Sequence, residues 1–253
     1  MRLMVRVRFS VKVRLSAECG VLNTSLLPIP CFLFSFPIFA PMKIEIWSDV
    51  ACPFCYIGKR RLEEALAQFE HKDEVDIEWK SYLLNPDQKS NTGQSLYQYL
   101  ADIKGWTMDY TIQVNQQVLA MAEEVGLHYQ LDKAVVANTT DAHKMIQLAK
   151  SLNKGDVMEE ALFKAYFMEG VNLADHAELK RIALSCGIDA ESAEKALNDA
   201  SLNEAIQRDI YEGVQIGVRG VPFFVFDNKY GISGAQPLEV FTRTLDQTYQ
   251  ASK

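Results

Sequence analysis

Cysteine is scarce in this chain. Its 253 residues hold five, at positions 19, 31, 52, 55 and 186, which excludes a disulfide-framed scaffold and suits a reducing compartment. Histidine is scarcer still, and His71, His128, His143 and His176 show no short metal-ligand spacing, so no zinc site is completed and no metal is expected. Positive charge is lacking too: the formal net charge is -7. Because residues 1–41 carry Arg2, Arg6, Arg8, Lys12 and Arg14 against Glu18 alone, the remainder is more acidic than that figure. An acidic body without a basic, aromatic-rich patch excludes nucleic acid or an anionic membrane as the main partner. No internal repeat and no low-complexity segment is present. The apolar run from Leu26 to Ala40 contains Pro28, Pro30 and Pro37 and is too short for a comfortable bilayer span, so no stable membrane insertion is expected. Oligomeric state is not legible in any of this.

What is present begins with a segment unlike the rest. Residues 1–41 run from basic to apolar to small, the order of a secretory signal. The preferred reading is an extraneous extension preceding a true start at Met42, with a cytoplasmic protein; a signal-like leader to the periplasm is the alternative. The whole sequence is 48% hydrophobic, enough for a sizeable core in one large or two modest domains.

From Met42 the order of elements is readable. Lys43 to Trp47 alternates as a strand, and Asp49-Val50-Ala51 turns into a helix with Cys52 at the N-cap and Pro53 at the first helical position. Leu62, Leu66 and Phe69 continue that helix's apolar stripe. VDIEWKSYLL alternates again, closing a βαβ unit. From Gln94 to about Gly217 the period becomes helical, predicting a bundle over one face of the sheet. Within it, Ser201 and Glu204 read as a capping box, and Asp175 and Glu178 as a similar device. Val221 to Phe226 and Tyr230 to Ser233 form a hairpin, and a last helix follows Pro237.

The sequence Cys52-Pro53-Phe54-Cys55 carries the chemistry. At a helix N-terminus, unpaired N–H groups and the positive end of the dipole favour thiolate over thiol. Cys52 is therefore the candidate nucleophile and Cys55 the resolving thiol of a disulfide exchange. A zinc half-site lacks further ligands, and a structural disulfide across two residues would close a small strained ring. Pro222 is either an ordinary strand-start proline or the second half of a cis Val221–Pro222 bond that turns Val221 toward Cys52.

With IEIWSDVACPFCYIGKRRLE, ANTTDAH, LFKAYFMEGVNLAD and GVRGVPFFVFDNKYGISGAQP, the chain from Met42 to Tyr249 resembles the DsbA family of thioredoxin-fold proteins, and more closely its FrnE-like branch. The resemblance implies an α/β, thioredoxin-like fold with a large inserted α-helical domain. Residues 42–84 and 218–253 would form the thioredoxin-like part and 85–217 the insert. It implies a protein disulfide oxidoreductase working through Cys52 and Cys55, with Pro53, Phe54, Val221 and Pro222 touching substrate and no cofactor beyond the cysteines. Protein or small-molecule thiols and disulfides would be the partners, glutathione among them as a co-substrate. His143 is a candidate cleft residue, and Asn138 a companion, although ordinary helix capping or core hydrogen bonding is the favoured account of each. Cys186 lies on an apolar helix face and reads as a small hydrophobe, and Arg219 as a solvated surface residue. The second cysteine pair found in some FrnE-like proteins is missing. The alternative is a glutathione-dependent isomerase or transferase related to 2-hydroxychromene-2-carboxylate isomerase, whose nucleophile position usually holds serine.

Overall fold

The computed structural model describes residues 41–90 and 93–253; the reading of residues 1–40 lies outside them. Four strands form one sheet in the order β2-β1-β3-β4. Strand β1 (Met42–Ser48) and β2 (Val75–Ser81) are parallel, joined through helix α1 (Pro53–Gln68) as the βαβ pattern predicts. Strand β3 (Phe223–Phe226) runs antiparallel to β1, and β4 (Tyr230–Ser233) antiparallel to β3. The last helix is labelled α9 (Leu238–Gln250) and has Pro237 as its N-cap.

Seven helices lie between β2 and β3 among the described residues: α2 (Leu96–Lys104), α3 (Met108–Glu123), α4 (Thr140–Ser151), α5 (Gly155–Phe167), α6 (His176–Ser185), α7 (Ala190–Asn198) and α8 (Ala200–Gln215). Side chains alternate across β1. Ile44 and Ile46 are paired in register with Phe226 and Phe224 and join one core with Leu62, Phe241 and Leu245, so α1 and α9 cover that face. Trp79, opposite Ile46, shares the same face and packs edge-on against Phe163 of α5 at 6.4 Å.

Trp47 points the other way. Its indole Nε1–H donates to the Asp209 carbonyl of α8 at 2.7 Å. The expectation that the insert covers one face is thereby corrected: α5 packs on the α1 side and α8 on the Trp47 side. The expected capping box at Ser201 and Glu204 is also corrected, because α8 starts at Ala200 and the Asp199 carboxylate accepts from the Ser201 N–H at 2.8 Å. At α6, Asp175 does cap, accepting from Ala177 N–H, while Glu178 pairs with Arg181. No helix is long and apolar enough to cross a membrane among the described residues.

Candidate active site

Cys52 is the N-cap of α1, with extended backbone angles and Pro53 following at the first helical position. Proline fits there because that N–H has no helical partner in any case. The turn before it is closed by a bond from Cys52 N–H to the Asp49 carbonyl at 2.9 Å. Both cysteines are free thiols and buried, Cys52 at 4% exposure and Cys55 at 1%. Pro53 is half-buried and Phe54, at 37%, is exposed. Tyr129, from the segment after α3, donates its hydroxyl to the Pro53 carbonyl at 2.8 Å and fastens the helix start to the insert.

The Val221–Pro222 bond is cis. Val221 presents its carbonyl to the Cys52 thiol at 3.4 Å. This close approach depends on Gly58, one turn beyond Cys55 on α1: a Cβ there would stand 3.0 Å from the Phe224 ring and 3.1 Å from the Pro222 ring. Cys52, Cys55, Val221 and Pro222 are therefore assembled at one place, with Phe54 at its open side. Beside the same turn lies a cavity of about 160 Å³ lined in part by Asp49, Ala51, Leu84, Tyr99 and Tyr166.

Beneath the thiols is a buried polar cluster. Burial, and next the neighbouring Cys52, push the Cys55 thiol well above its usual range, while the Asp49 backbone and the Ser48 hydroxyl pull the other way. The Ser48 hydroxyl donates to Glu159 of α5 at 2.6 Å. Burial pushes Glu159 up to about 7, against the opposing influence of His143 and Ser48. Burial alone would raise the Asp49 carboxyl too, but His143 and the N–H groups of Leu84 and Ala51 hold it below the usual carboxylate range.

His143 does not line an open cleft. It is 1% exposed on α4, its Nε2 3.7 Å from the Asp49 carboxylate, and neither ring nitrogen has a hydrogen-bond partner. The helix places it under the active-site turn because Ala142, Met145, Ile146 and Ala149 share its buried surface. Asn138 instead holds the loop at residues 86–88, donating to the Pro86 and Gln88 carbonyls. Cys186 is buried and donates to the Val157 carbonyl at 3.7 Å, away from the pair, and Arg219 is exposed. Among the described residues no group of three or more His, Cys, Asp or Glu side chains is arranged to hold a metal ion.

Ser48, Glu159 and Tyr129 carry no motif. Glu159 nevertheless leaves a trace in the sequence: it falls among Met158, Leu162, Phe163 and Tyr166 at the spacing of one buried helix face, where an acid is out of place unless it has a partner.

The family model described as the DSBA-like thioredoxin domain matches residues 43–246. The crystal structure of the probable DsbA oxidoreductase SCO1869 from Streptomyces coelicolor is 36% identical, covers 83% of this chain and 90% of its own, and superposes with a TM-score of 0.79. The uncharacterized protein YwbO of Bacillus subtilis (strain 168) is 28% identical over 207 residues, 81% of this chain and 96% of its own length. The cytosolic disulfide reductase DsbM from Pseudomonas aeruginosa, solved with GSH, shares the fold at 15% identity and a TM-score of 0.59, over 82% of this chain and 99% of that one.

Proposed function

Since the chain belongs to the family of DSBA-like thioredoxin domains, we propose that it is a thiol–disulfide oxidoreductase of the DsbA type, in the FrnE-like branch, exchanging disulfides through Cys52 and Cys55. The observation that carries this reading is the pairing of unlike thiols at one helix start: Cys52 at the N-cap against the Val221 carbonyl, Cys55 buried with its proton held tightly. Cys52, at the helix start, is the residue that attacks a substrate disulfide; Cys55 then displaces the substrate from the mixed disulfide.

The reaction needs no group beyond the two cysteines. Pro53 and Phe54 on one side and Val221 and Pro222 on the other flank the sulfur, so an extended disulfide-bearing segment would lie between them and pair with Val221. The exposed Phe54 ring and the adjacent apolar cavity suit protein substrates, and glutathione is the small-thiol partner that resets the pair. Sparse cysteine usage supports a cytoplasmic location.

Reduction of insulin disulfides with a dithiol donor, together with oxidation of a dithiol peptide by the oxidised protein, tests this. Both reactions proceed with the wild type and vanish in Cys52→Ser. Equal rates in wild type and Cys52→Ser would refute the assignment, and isomerisation of an aromatic substrate that survives Cys55→Ser would favour the isomerase class instead.

A further inference from the structure

The cavity beside the active-site turn has an apolar wall that no other element covers. Helix α2 lines it with Leu96, Leu100 and Ile103, a spacing of four and three, and Ala51, Leu84 and Val136 lie across from that stripe. A helix normally buries such a stripe against a partner. In α2 only Ala101 is buried, and Ile103 and Leu84 are exposed. The cavity's volume of about 160 Å³ is close to the roughly 150 Å³ that admits a benzene ring. Phe54, Val221 and Pro222 do not line it, so it is separate from the groove that flanks the Cys52 sulfur. Ala51 does line it, which sets any occupant beside the residue that precedes the nucleophile.

The polar groups of the cavity are donors in want of an acceptor. Tyr166 of α5 lines it at 2% exposure, and its hydroxyl makes no hydrogen bond with any described residue. Thr139 lines it at 5% exposure. It is the N-cap of α4, where threonine ordinarily spends its hydroxyl on the helix, yet its side chain makes no such bond. Asn138 does that work instead, its side-chain oxygen accepting from the Thr140 N–H at 2.9 Å. Buried hydroxyls are nearly always paired, so two unpaired ones in one cavity point to a ligand that supplies the acceptor. The Tyr99 hydroxyl accepts from Asn85 at 3.1 Å and keeps its own proton to donate. Asp49 is the charged group of the wall nearest the cysteines. Its two carboxylate oxygens are taken by the Ala51 and Leu84 N–H groups, and its charge disfavours an anionic occupant.

We propose that this cavity binds a neutral aromatic ring bearing an oxygen acceptor, a phenol-type group, and so selects what is presented beside Cys52. The ring packs between the α2 stripe and Leu84, and its oxygen accepts from Tyr166 and Thr139. An apolar slot with a few convergent polar groups is the usual form of a small-ligand site. The ring comes either from a tyrosine side chain next to the cysteine of a protein substrate or from a free phenolic molecule, and the two sources share this chemistry. The proposal rests on the exchange activity proposed above and names the group recognised next to the exchanging disulfide.

Titration of the full chain with p-cresol, followed by amide chemical shifts, tests the pocket without any turnover. Saturable shifts are expected at Ala51, Leu84 and Thr139. Tyr166→Phe and Thr139→Val, which remove one hydroxyl each and keep the shape, should weaken binding about fivefold apiece, the worth of one hydrogen bond. Leu100→Trp, which fills the cavity, should abolish it; the two conservative variants decide the matter should Leu100→Trp fail to fold, as judged by thermal melting. A second arm compares kcat/KM for two disulfide-linked peptides that differ only in Tyr or Ala before the cysteine. A preference of about tenfold for Tyr that collapses in Leu100→Trp assigns the ring to the substrate chain. Saturable p-cresol binding with no peptide preference assigns it to a free phenolic molecule. No saturable p-cresol shift together with equal rates on the two peptides overturns the pocket while leaving the exchange activity standing, as does p-cresol binding that none of the three variants weakens. Failure to reduce either peptide overturns the exchange reading instead, and the p-cresol titration then decides the pocket alone.

Discussion

Glu159 ties the polar cluster beneath the cysteines to stability. Its carboxyl is buried and its pKa is raised from the ordinary value of 4.5 to about 7. The folded state therefore holds the proton more tightly than the unfolded chain, so this stabilisation is fully present below 4.5 and is lost as pH rises to about 7. The difference across that window is roughly 3 kcal/mol at most. Urea unfolding between pH 4.5 and 8 should show wild type losing stability relative to Glu159→Gln as pH rises, with the difference levelling off above about pH 7. Parallel profiles in the two proteins would count against the buried carboxyl as described. At this scale the cysteine pair was legible from its spacing, and Pro222 as one of two readings that spacing left open. His143 was legible as a polar residue of interest but not in its setting, because its burial depends on α4 docking under a turn about 90 residues earlier.

Elements were legible wherever alternation or helical period was local. Strand β1, α1, β2, the β3–β4 hairpin and α9 all stand where their patterns put them, within three residues at their ends. The docking of α8 was not legible, since it turns on a glycine meeting a tryptophan 166 positions away in the chain. A Cβ at Gly213 would lie 2.7 Å from the Trp47 Nε1 and 2.9 Å from its Cδ1, and the indole cannot swing aside without giving up its bond to the Asp209 carbonyl. Gly213→Ala gains about 1 kcal/mol of helix propensity but forces overpacking of typically 1–3 kcal/mol. We expect a net loss of about 1 kcal/mol in chemical denaturation, and a stabilised variant would show that α8 has room to retreat. The salt-bridged stretch of α1 makes the matching attachment on the other face: Lys59, itself buried, pairs with Glu63, Asp156 and Glu160, and Arg60 with Glu63 and Glu160. The helix that carries the cysteines is thus held directly by α5, the helix that carries Glu159.

At the scale of the molecule, the insert is part of the site rather than an ornament on the fold. Tyr129 fixes the Pro53 carbonyl, α4 brings His143, and α5 brings Glu159, all beneath a pair of thiols that the strand–helix junction alone would leave without a polar floor. Fold class followed from the family resemblance, and the βαβ and ββα pieces were separately recognisable beside it. The polar floor did not, because no local pattern states which helix faces which turn. The central claim is that Cys52 and Cys55 act as one two-electron redox couple. Equilibrating the protein in buffers of graded reduced and oxidised glutathione, then alkylating and weighing it, tests that claim most directly. Both thiols should be lost together in a single two-electron transition, with Cys186 alkylated to the same extent throughout after unfolding. Cys52 and Cys55 remaining alkylatable at every ratio, or disappearing independently of one another, would contradict it.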